Sequence, residues 1–157
     1  MSHGFSTNPL HSVHEGRNRY CGPFVIASIL GVSSDEGARA IRKANPYCRR
    51  FEGGVKRTTD AHIRGTLFSR GFQTRQFEPA GFTPGRTTLR RFIIDSAKER
   101  EDRLYLISAG CHWRLLWRGQ YACGLVGGPV CWSKAPNLGS KVRVAWLIKP
   151  PTTGGDR

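Results

Sequence analysis

The chain has no run approaching about 18 apolar residues, so nothing in it reads as a membrane-spanning helix. Its opening, MSHGFSTNPLHSVHEG, lacks the basic start, apolar stretch and small-residue cleavage site of a secretion signal, which predicts a cytoplasmic protein. CxxC spacing is missing and the five cysteines are an odd number, so free thiols are expected rather than a disulfide frame. Without knuckle-like spacing, a zinc site built from Cys111, His112, Cys123 and Cys131 is the minor alternative, and neither a metal nor any other cofactor is expected. Internal repeats, low-complexity tracts and a long basic tail are also lacking. Acid is the scarcest commodity of all: between Arg103 and Asp156 there is not one Asp or Glu.

What is present is a globular composition of one-domain length, 157 residues with 38% hydrophobic and 23% charged, and with four Trp and eight Phe as bulky core material. Net charge is +14, and arginine supplies 19 of the 25 basic residues. Such a balance attracts polyanions. The arginines are scattered, from Arg39 and Arg42 through Arg49, Arg50 and Arg57 to Arg86, Arg90 and Arg91, with no nucleic-acid-binding motif among them. That distribution predicts a solvated surface making non-specific, salt-sensitive nucleic-acid contact.

The segment GPFVIASIL, ending at Gly31, is apolar nearly all round and reads as a central buried helix with Pro23 in its first turn. Ser33 and Glu36 form a capping-box pattern ahead of an amphipathic helix that turns Ala38 and Ile41 inward and stops at Asn45-Pro46. Residues 47–57 read as an irregular basic loop ending beyond Gly53-Gly54. Thr59 or Asp60 can cap a third helix carrying Ile63, Leu67 and Phe68 on one face and terminated by Gly71; a short strand follows. After Pro84-Gly85, Leu89, Phe92 and Ile93 stand at the spacing of a fourth helix. From residue 103 the texture turns to short β-rich runs, RLYLISAG, HWRLLW, QYACGLV, PVCW and KVRVAWLI, broken by glycine turns, which predicts an antiparallel meander. Helices first and strands afterwards imply an α+β domain over residues 17–149 whose sheet buries one face against the helices, with an N-terminal arm at 1–16 and a tail at 150–157.

The chemistry of interest lies at the start of the first helix. Cys21 stands at a helix N-terminus, where unpaired backbone N–H groups and the helix dipole favour a thiolate and can hold an oxyanion. A nucleophilic cysteine needs a base. His3, His11 and His14 lie in the polar start and His62 in a surface-like helix, whereas His112 opens a strand and is expected to project toward the helix packed on it. Cys48, Cys111 and Cys131 read as packing residues, with Cys111 pointing opposite to His112. The tryptophans, Trp113, Trp117, Trp132 and Trp146, read as sheet core or cleft wall.

The pattern YCGP before an apolar helix, with GCHWRLLW on a strand about ninety residues later, resembles the papain-like cysteine peptidases. It is most similar to compact forms such as the leader peptidases of bacteriocin exporters and the small papain-like proteins of tailed phages. The further phage-type features are matched by Arg118-Gly119 as the turn, Gln120 to Leu125 as the next strand, Gly128-Pro129, and Val144-Ala145-Trp146 as the closing strand. Together they span roughly residues 17 to 148.

The resemblance implies Cys21 as nucleophile and His112 as general base and acid in a thiol hydrolase acting on a peptide, isopeptide or other amide. It also implies a buried helix packed on a C-terminal antiparallel sheet, and a location in a host cytoplasm or a virion. Two departures stand out. The family's orienting Asp or Asn falls here on Cys123, and its oxyanion-hole Gln falls on Glu15, leaving Asn18 as a displaced substitute beside the Gly22 backbone. Loss of the orienting group is costly in comparable triads. The alternative is therefore a papain-like scaffold without activity, serving as a virion, assembly or binding protein.

Overall fold

The structure, a computed structural model, describes residues 4–13, 20–49, 55, 57–98, 102–126 and 128–152. Asn18, Glu15, His3, His14, Gly53-Gly54 and the end of the tail lie outside the described residues. Within them the chain is an α+β protein with four α-helices and one six-stranded antiparallel sheet. In chain order these are α1 (Cys21–Leu30), α2 (Ser34–Ala44), α3 (Asp60–Phe68), β1 (Gln73–Gln76), α4 (Leu89–Ser96), β2 (Leu104–Ala109), β3 (His112–Trp117), β4 (Gln120–Ala122), β5 (Val130–Cys131) and β6 (Val142–Lys149).

Helix α1 forms as the sequence predicts. Eight of its ten residues are buried, and Gly31 closes it in the left-handed conformation that glycine adopts without steric cost. Helix α2 begins with the expected capping box, Ser33 accepting from the Glu36 backbone while the Glu36 carboxylate accepts from Ser33. Thr59, not Asp60, caps α3. Phe68 departs from expectation. It is 76% exposed, because α3 turns only Ile63, Thr66 and Leu67 to the core and the phenyl falls on the opposite side.

The sheet order is β1-β6-β2-β3-β4-β5. The meander therefore holds only from β2 to β5, and the last strand returns to pair between β1 and β2. Nor is the sheet one-sided. Leu104, Leu106, Leu115, Trp117 and Ile148 pack with α1, α2 and α3 in one core, while Tyr105, Ile107, Leu116, Tyr121 and Leu147 pack with α4 in a second. The near-continuous burial of β2 and β3 is the signature of a sheet covered on both faces.

Two hairpins meet the strict demand of a two-residue turn. Gly110 and Cys111 both have positive φ, as do Arg118 and Gly119, which is the type I′ pattern that suits the right-handed twist of the flanking strands. Cys111 is accordingly a turn residue with exposed side chain, not a packing residue on a strand. Cys131, at the end of the short edge strand β5, is exposed as well; Cys48 does pack against the first core. The described part of the N-terminal arm lies on the body: Leu10 is buried, and His11 and Ser28 exchange two hydrogen bonds.

Candidate functional site

Helix α1 starts without a side-chain cap at Tyr20. Pro23 carries no N–H, and the Phe24 N–H is taken by the Tyr20 carbonyl at 3.1 Å. The first-turn N–H groups of Cys21 and Gly22 therefore have no intrahelical acceptor. Close against them runs the segment before α3. A Cβ on Gly22 would overlap the Thr58 hydroxyl, so this glycine is what lets residues 57–59 approach the start of α1. The Trp113 indole fixes the same segment from the sheet side, donating to the Thr58 carbonyl at 3.0 Å.

Between these pieces lies a cavity of about 260 Å³ lined by Cys21, Gly22, His112 and Cys123, with Tyr20 and Leu125 among its apolar walls and Cys111 at its edge. Three residues singled out from sequence as nucleophile, base and occupant of the orienting position thus share one cavity. Cys21 and His112 are each half-buried, and Cys123 is buried. His112 does not arrive there by strand alternation. On β3, Trp113, Leu115 and Trp117 join the core beneath α1, whereas Leu116, two residues on from Arg114 and four from His112, belongs to the α4 side. His112 reaches the cavity because it is the first residue after the Gly110–Cys111 turn, at the end of the sheet where α1 begins.

Among the described residues neither a carboxylate nor a carboxamide lines this cavity. Cys123, which the resemblance sets at the orienting position, neighbours the Tyr121 phenol and helps to raise it, and that phenol accepts from Arg114 Nη1 at 2.5 Å. Arg114 is a fully buried guanidinium. Its Nε and Nη2 both donate to the Ala109 carbonyl, at 3.4 and 3.3 Å, and Nη1 reaches the Pro136 carbonyl at 3.2 Å. Among the described residues its hydrogen-bond acceptors are carbonyls and a phenol, with no carboxylate. The guanidinium ties the residue before the turn, β4 and the 135–141 loop together behind His112 and Cys123. Comparison with protein-family models, curated proteins and solved structures gives no match.

The remaining sequence-derived candidates divide cleanly. Gly22 lines the cavity; Asn18 lies outside the described residues. Cys131 sits elsewhere, its thiol held below the ordinary cysteine range by hydrogen bonds from Ser133. Among the described residues no group of three or more His, Cys, Asp or Glu is placed to hold a metal ion, so the four zinc candidates do not assemble. No helix among them is long and apolar enough to cross a membrane. Sequence reasoning missed Arg57 and Thr58, which join the site only through tertiary contact. It also missed Arg114, although a lone cation inside the apolar run HWRLLW was a legible signal.

Proposed function

We propose that this protein is a papain-like thiol hydrolase acting on an amide bond through an acyl-enzyme. The observation that carries the reading is the convergence of Cys21 and Gly22 with the sequence-distant His112 on one cavity at the start of a buried helix. In this scheme the Cys21 sulfur attacks the carbonyl carbon and the N–H groups of the first turn hold the oxyanion. His112 takes the thiol proton and passes it to the leaving amine; water, deprotonated by the same imidazole, then releases the acid and restores the thiol. No metal or organic cofactor enters the scheme.

The test is alkylation by iodoacetamide followed site by site. Cys21, although half-buried, should react faster than exposed Cys111, and His112→Ala should slow Cys21 by about tenfold or more while leaving Cys111 unchanged. Cys131 is a poor reference because Ser133 already lowers its thiol. Labelling of Cys21 that ignores His112 would defeat the proposal.

One observation favours a second reading, a papain-like scaffold serving as a binding or virion-assembly protein: Cys123 stands where the resemblance sets the orienting acid, and among the described residues no acid lines the cavity. Full biological function in Cys21→Ala would support that reading over the first.

A further inference from the structure

The Cys21 cavity holds more sulfur than the hydrolytic scheme uses. Three of the five cysteines line its volume of about 260 Å³: Cys21 at the start of α1, Cys111 in the β2–β3 turn and Cys123 just beyond β4. All three are free thiols, and they differ in exposure. Cys21 is half-buried and Cys111 exposed, while Cys123 is only 1% exposed, so a small solute meets the first two sulfurs and not the third.

Cys111 also stands where the backbone favours other residues. A two-residue type I′ turn needs left-handed φ at both central positions and prefers Gly, Asn or Asp there. The β3–β4 turn meets its second position with Gly119, but the β2–β3 turn sets Cys111 there, at a φ of 63°. A side chain in that region carries a steric cost that glycine avoids, and such departures from local preference gather at functional sites. Because the Cys111 side chain is exposed, no packing has to be broken for its sulfur to swing toward Cys21.

We infer that Cys21 and Cys111 form a reversible disulfide when a hydroperoxide enters the cavity, which makes the site a thiol switch closed by oxidation. The inference borrows from the thiol-hydrolase reading only the nucleophilic character of Cys21. The Cys21 thiolate attacks one oxygen of hydrogen peroxide and the O–O bond breaks. The departing hydroxide takes a proton from the His112 imidazolium and leaves as water, and the sulfur, oxidised by two electrons, becomes a sulfenic acid. Cys111, its proton given up to solvent, then attacks that sulfur; the S–S bond forms, the S–O bond breaks, and the hydroxide takes up a proton and leaves as water. Two thiols and one peroxide thus give one disulfide and two waters, and a dithiol reverses the bridge by exchange. The bridge occupies the nucleophile, pins the turn beside His112 over the cavity and spares Cys21 from irreversible oxidation to the sulfinic acid.

The test treats the reduced full chain with a stoichiometric amount of hydrogen peroxide, blocks the remaining thiols with iodoacetamide and maps bridges by mass spectrometry of a non-reduced digest. The folded protein should lose the mass of two hydrogens, yield the Cys21–Cys111 peptide pair and regain Cys21 labelling after dithiothreitol. Oxidation in guanidinium chloride should show no preference for that pair. Cys111→Gly, a substitution the turn favours, should leave Cys21 as a sulfenic acid that dimedone traps. Under excess peroxide, the fraction of Cys21 that dithiothreitol restores should then fall several-fold relative to wild type. A Cys21–Cys123 bridge, the absence of any intramolecular bridge, or full recovery in Cys111→Gly overturns the inference. His112-dependent alkylation of Cys21 with no bridge would refute the switch and leave the hydrolase reading standing; a Cys21–Cys111 bridge with alkylation that ignores His112 would establish the switch and defeat the hydrolase reading.

Discussion

Among single residues, the Arg114–Tyr121–Cys123 group carries the sharpest consequence. Burial above all, and then the neighbouring Cys123 thiol, push the Tyr121 phenol well above its ordinary range, against the lowering influence of Arg114. In the unfolded chain the same phenol ionises near pH 10. Its folded value is raised, so its contribution to stability is complete below about pH 10 and declines as pH rises beyond it, by up to about 1.4 kcal/mol per pH unit. Tyr121→Phe should therefore flatten the alkaline fall in the denaturant midpoint between about pH 10 and 11. Tyr47→Phe, at a ring that is 97% exposed, should leave it intact. Identical alkaline limbs in wild type and Tyr121→Phe would show that the phenol does not stay protonated in the fold.

For the elements, the start of α1 is decided by one absent methyl group. Helix propensity alone says that Gly22→Ala should stabilise by up to about 1 kcal/mol. The Thr58 hydroxyl occupies the space that a Cβ would need. Overpacking of this kind costs about 1–3 kcal/mol, so chemical denaturation of Gly22→Ala should show a net loss of stability. Since Thr58 also anchors Trp113, hydrogen exchange should rise at residues 57–59. A gain in stability would mean that the segment does not rest on the helix. The same contact explains why the Gly-Pro after Cys21 has a packing role as well as a place in the resemblance: glycine admits the neighbouring segment, and proline removes one N–H from the first turn.

At the scale of the whole molecule, two cores on one sheet and a net charge of +14 act independently. The cores are built from alternate residues of the same strands, so helices cover much of both faces of the sheet. Among the described residues Arg114 is the one buried arginine. Adhesion to single-stranded DNA should accordingly be measurable at low salt, vanish near physiological salt and show no sequence preference. Binding that persists at physiological salt, or that selects a sequence, would contradict a purely surface-charge origin.

Much was legible from the sequence alone, and for local reasons. The buried helix, its glycine stop, the Ser33–Glu36 capping box, the fourth helix and the glycine hairpins follow from backbone preferences and periodicity acting over a few residues. The thiol at a helix start and the histidine opening a strand were legible in the same way. Tertiary structure alone decided the rest. It placed β6 inside the sheet, covered both faces, exposed Phe68, moved Cys111 into a turn and brought Thr58 against Gly22. These outcomes depend on which distant surfaces meet, and pairing energy between strands carries no mark of chain order. That His112 and Cys21 line one cavity was likewise decided at the end of the sheet, where strand and helix start together, and not by the alternation of the strand that carries the histidine.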